Sequence, residues 1–119
     1  MTFTLDIKTA EDKALEAAQA RANAIKAECR ARILSEIPET VQMNIAQAVT
    51  TYTATLLRGG TKEEAEAASG LEDADFPVAA AGRQWITAMQ AECRRAIEAG
   101  AAPAWPELPK GVGDLVARL

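Results

Sequence analysis

A four-residue word is written twice in this chain, as Ala27-Glu28-Cys29-Arg30 and again as Ala91-Glu92-Cys93-Arg94. Each copy carries an apolar residue four positions before its cysteine, Ile25 and Met89, and an isoleucine four positions after it, Ile33 and Ile97. Residues spaced by four share one face of an α-helix, so each cysteine sits mid-stripe on an amphipathic helix. They are the only two cysteines. The repeat thus describes how two helices pack, with the thiols acting as small apolar side chains. A redox pair would require the helices to cross with Cα atoms within about 7 Å at these positions. Antiparallel packing about a pseudo-twofold axis would allow that, and a bridge between chains is the third alternative.

The first helix begins at Thr9, an N-cap with Asp12 in the reciprocal place of a capping box. From there Leu15, Ala18, Ala22, Ile25, Cys29, Ile33 and Ile37 recur at three- and four-residue steps, a helix of roughly 27 residues and about 40 Å. Pro38 ends it, because the residue before a proline is pushed out of helical geometry. A second helix is predicted from Glu39 to Arg58, with Val41, Ile45, Ala48, Val49, Tyr52 and Leu56 on its apolar face and Gly59-Gly60 as its stop. Thr61-Lys62-Glu63-Glu64 is a second capping-box signature, opening a short helix that runs to about Ser69. A third long helix starts near Pro77 and closes at Gly100, with Val78, Trp85, Ile86, Met89, Cys93, Ala96 and Ile97 on one face. Pro103, Pro106 and Pro109 then force an extended segment around Trp105, and the last residues form at most a turn or two of helix.

The expected architecture is therefore all-α: one domain over residues 1–119, an antiparallel bundle of three main helices with a short acidic helix and an extended Pro/Trp-rich tail. Residues 1–8 form an amino-terminal arm, 9–100 the bundle and 101–119 the tail. In the arm, Phe3, Leu5 and Ile7 alternate with polar residues in the pattern of a short strand able to pair with another chain. Roughly a quarter of the sequence is alanine and only 4% is aromatic. Such a composition favours long helices at close approach over a thick core.

The net charge is −4, and the acidity is concentrated. Between Thr61 and Asp75, Lys62 alone faces Glu63, Glu64, Glu66, Glu72, Asp73 and Asp75. The run reads as a solvated connector. No basic face is available for a nucleic acid, and no apolar run reaches the roughly 20 residues of a membrane span. The opening residues lack the pattern of a signal peptide, so synthesis in a reducing cytosol, with free thiols, is expected.

The usual catalytic inventory is thin. Histidine is absent, which removes the commonest general base, nucleophile partner and metal ligand. Two cysteines without a CxxC arrangement do not make a zinc site, and no phosphate-cradling glycine motif is present. The expectation is a protein that is not an enzyme, with no catalytic residues, cofactor or metal.

The carboxy-terminal order is Trp85 on a helix, then Glu92-Cys93-Arg94, a Gly-Ala-Ala spacer, and Trp105-Pro106-Glu107-Leu108-Pro109. It resembles the tails of bacteriophage and prophage tail-fibre assembly proteins and related small phage tail proteins. The helix entered through Ile7-Lys8-Thr9-Ala10-Glu11-Asp12 is similar to helical segments of prophage tail proteins. The resemblance implies a non-catalytic protein-binding module acting in tail assembly or as a virion tail component, made in the host cytoplasm. Its partners would be phage tail proteins, or further copies of itself, met through Trp105, Pro106 and Pro109 and through Phe3, Leu5 and Ile7. A small acidic phage-encoded inhibitor is the alternative, presenting Glu63, Glu64 and Glu66 to a basic site on a host protein.

Overall fold

The computed structural model describes residues 9–119. It is all-α, with five helices and no strand among the described residues: α1 (Ala10–Glu36), α2 (Glu39–Leu57), α3 (Lys62–Ser69), α4 (Asp75–Ala99) and α5 (Val112–Arg118). The arm with Phe3, Leu5 and Ile7 lies outside the described residues.

Local chemistry sets the helix ends. Thr9 Oγ1 accepts from Asp12 N at 3.1 Å while Asp12 Oδ2 accepts from Thr9 N at 3.3 Å, a complete capping box. Thr61 and Glu64 repeat that arrangement at the start of α3. Ile37, just before Pro38, leaves helical geometry at φ −131° and terminates α1. Gly100 closes α4 with φ 62°, a left-handed conformation that glycine adopts without steric cost. Gly60 is required for space: a Cβ there would lie 2.7 Å from Thr55 Cγ2 and 2.8 Å from the Thr55 carbonyl oxygen.

The three long helices do not share one core. α1 and α4 pack antiparallel, since Arg21 meets the backbone of Ala96, Cys29 meets Met89, and Ile37 lies beside Gly82. Ile25, Cys29, Ile33 and Ile37 from α1 join Trp85, Met89, Cys93 and Ala96 from α4, and Val112 from α5, in the first cluster. After the Pro38 bend, α2 takes a different partner. Its Ala48 and Tyr52 pack with Ala65 of α3, Leu71 and Leu115 of α5 in a second cluster. Tyr52 and Phe76 meet edge to face there, with ring centroids 4.8 Å apart. Val78, near the start of α4, touches both clusters and joins them. The molecule is accordingly elongated, with principal extents of 80 × 29 × 21 Å.

Two apolar stripes are only partly covered. In α1 the stripe is buried from Ile25 onward, but Leu15 is 70% exposed. Every residue from Ala10 to Ala20 is exposed, because α4 ends at Ala99 and nothing described lies beyond it. In α2 Leu56 is exposed while Thr55 is buried. The Thr55 hydroxyl donates to the Thr51 carbonyl at 2.9 Å, so its burial leaves no polar atom without a partner.

Candidate functional site

The repeated word does two jobs. Its cysteines face the α1–α4 core, and its glutamates hold the tail. Glu28 Oε1 accepts a hydrogen bond from the Trp105 indole Nε1 at 3.0 Å. Glu92 Oε2 accepts from the Ala104 backbone N–H at 2.7 Å. Each glutamate is also steadied by an arginine on its own helix, Arg32 Nε at 3.0 Å from Glu28 and Arg95 Nε at 2.7 Å from Glu92. The spacing is that of helical neighbours three and four residues apart.

Three further contacts complete the clasp. The Trp85 indole donates to the Pro106 carbonyl at 3.0 Å, and the Arg32 guanidinium lies 5.7 Å from the Trp105 ring centroid, within cation–π range. Arg21 donates to the Ala96 and Ala101 carbonyls, so a cation sits where the α4 macrodipole is negative and where the tail leaves. Residues 101–109 are free of helix, as the prolines demand, and they lie along the α1–α4 pair. Trp105, Pro106 and Pro109 are all half-buried. Trp105 and Leu108 pack against the first cluster.

The electrostatics follow from these bonds. Glu92 is held down to about 2, chiefly by the Arg95 hydrogen bond and then by the Ala104 N–H. The Trp105 N–H is the main cause of the lowered Glu28 value, with Arg32 next. A carboxylate that accepts hydrogen bonds in its charged form resists protonation.

The acidic segment divides into two groups. Glu63 and Glu64 are exposed in the first turn of α3, and Glu66 is half-buried. Asp73 and Asp75 instead tie the fold together, which departs from the solvated connector expected of the whole run. Asp73 pairs with Lys62 and accepts from the Tyr52 hydroxyl at 3.0 Å. Asp75 is buried, takes the Arg118 guanidinium at 2.7 and 3.0 Å, and accepts from Glu72 N at 2.8 Å. Arg118 Nη2 also reaches the Gly70 carbonyl at 3.2 Å, and Asn44 Nδ2 donates to the Leu119 carbonyl at 2.9 Å. The carboxy terminus is thereby bound to the far end of the acidic segment, at Gly70 and Asp75, and to α2 through Leu119.

Between the diverging α2 and α4 lies an apolar cleft of about 400 Å³, lined by Ile45, Val49, Val78 and Ile86, with Gln42 and Arg83 as its polar members. Among the described residues, no three His, Cys, Asp or Glu side chains come together as a metal-holding group. No helix of the described residues is long and apolar enough to cross a membrane. Comparison with protein-family models, with curated proteins and with solved structures found no match.

Proposed function

We propose that this chain is a non-catalytic protein-binding module of a phage or prophage tail, acting in tail assembly or as a virion tail component. The observation that carries the binding role is the exposed amino-terminal stretch of α1. Ala10 to Ala20 project past the end of α4, and Leu15 on that segment is 70% exposed. An alanine-rich helical end that buries none of its side chains is marginal in water, and docking on another protein would bury its apolar stripe. Phe3, Leu5 and Ile7 precede it in the sequence and are counted with it as contact residues in this reading. The tail role rests on the resemblance of the Trp105 region and of the α1 entry to phage tail proteins. Trp105, Pro106 and Pro109 belong to that region, and their half-buried surface limits what they offer a partner to the exposed side of the clasp.

Deleting the coding sequence from the phage or prophage that carries it, followed by electron microscopy and infectivity assay of induced particles, tests the proposal. Defective or missing tails support it. Normal infectious particles that lack the protein contradict it. The second reading, an acidic inhibitor, is favoured by exposed Glu63 and Glu64. It has a reduced surface to work with, since Asp73 and Asp75 are engaged inside the fold.

A further inference from the structure

Cys29 and Cys93 are 5% and 8% exposed and belong to one core cluster. They also line the same groove on the α1–α4 surface, together with Lys26, Ile33, Gln90 and Arg94. Their register brings the sulfurs together. Cys29 Sγ lies 3.6 Å from the Met89 carbonyl oxygen, which points along α4 toward Cys93, one helical turn on. Side chains on a helix tilt toward its amino terminus. In α4 that tilt carries the Cys93 side chain back toward Met89, and so toward the Cys29 sulfur. Burial, and then the neighbouring Cys93, raise the Cys29 thiol.

We propose that Cys29 and Cys93 are an oxidation site, closing into an intramolecular disulfide that staples α1 to α4 when the chain meets a hydroperoxide. The Cys93 thiolate attacks one peroxide oxygen, the O–O bond breaks, and Cys93 becomes a sulfenic acid as hydroxide leaves and takes up a proton to form water. Cys29 Sγ then gives its proton to the departing sulfenic oxygen and attacks the Cys93 sulfur, releasing a second water as the S–S bond forms. Two protein thiols lose two electrons and two protons, and one peroxide is reduced to two waters. Hydrogen peroxide is small enough to enter a groove whose thiols a bulky reagent reaches poorly.

The full chain treated with hydrogen peroxide is examined by mass spectrometry without reductant, with its melting temperature measured before and after. The expected product is lighter by two hydrogen atoms, carries a Cys29–Cys93 linked peptide, and melts higher than the reduced chain. Cys29→Ser should stop at a sulfenic acid on Cys93 that dimedone captures. Disulfide-linked dimers, sulfinic acid on either cysteine of the wild-type chain, or thiols unchanged at peroxide concentrations that oxidise a free cysteine peptide would each overturn the proposal.

Discussion

The Trp105 indole donates to Glu28 Oε1 at 3.0 Å across 77 residues of sequence, joining the proline-rich tail to the first copy of the repeated word. The Ala104 N–H does the same to Glu92 in the second copy, at 2.7 Å. A segment that prolines exclude from any helix is thereby held by both members of the helix pair it crosses.

Trp105→Ala should destabilise the chain by about 2 kcal/mol, the scale of a half-buried aromatic ring with one hydrogen bond. Trp105→Phe should cost less, because it keeps the apolar contact with the first cluster and loses only the bond to Glu28. Urea unfolding of the two variants checks the order, and equal stability of both to the parent chain contradicts the docked tail.

Acid should loosen the tail before it unfolds the helices. The folded value of Glu92 is depressed from the usual 4.5 to about 2. The stabilisation is therefore fully present above pH 4.5 and is lost as the pH falls toward 2. Glu28 is lowered in the same direction and adds to the effect. The Trp105 indole N–H resonance, followed by NMR, should shift through this window while the helical circular dichroism persists. Glu92→Gln should remove much of the acid dependence.

Arg118→Ala leaves the buried Asp75 carboxylate with only the Glu72 N–H and should cost about 1–3 kcal/mol. The double variant Asp75→Ala, Arg118→Ala should cost less than the two single losses combined, since each single change strands the other partner. Additive losses in a thermal-melt series would show that the pair is not coupled.

Replacing both Cys29 and Cys93 by alanine should cost about 1–3 kcal/mol, the scale of small core truncations, and leave the helical content intact. Both thiols should react slowly with a bulky maleimide in the native reduced chain. Changing the exposed Glu63 and Glu64 together to glutamine should alter stability by no more than about 0.5 kcal/mol, because exposed charges contribute little and glutamine still completes the Thr61 capping box. A salt-sensitive, order-of-magnitude loss of affinity for a basic host protein in that variant would favour the inhibitor reading.

Much of the fold is written locally in this chain. Thr9 with Asp12, Thr61 with Glu64, Pro38, Gly70 and Gly100 each fix a helix end through atoms a few residues away. Partner choice is not local. Leu15 and Ala18 continue the Ile25–Ile37 stripe perfectly well in sequence, yet they are exposed because α4 has already ended. Asp75 looks like one more carboxylate in an acidic run, and its burial depends on Arg118, 43 residues away. The repeated word announces the two cysteines through their apolar neighbours. It gives no sign that its glutamates clasp a tail, because hydrogen bonds to a backbone N–H and an indole leave no periodic pattern.

The central claim is the proposal that the exposed amino-terminal stretch of α1, and not the clasped tail, carries the main contact with a partner. Removing residues 1–20 from the chain in the genome that encodes it, with the truncated protein also purified for a thermal melt, tests it most directly. The account predicts a melting temperature close to that of the intact chain, because Ala10 to Ala20 are all exposed, together with loss of tail assembly in induced particles. Tails assembling normally around a truncated chain as stable as the parent would contradict it.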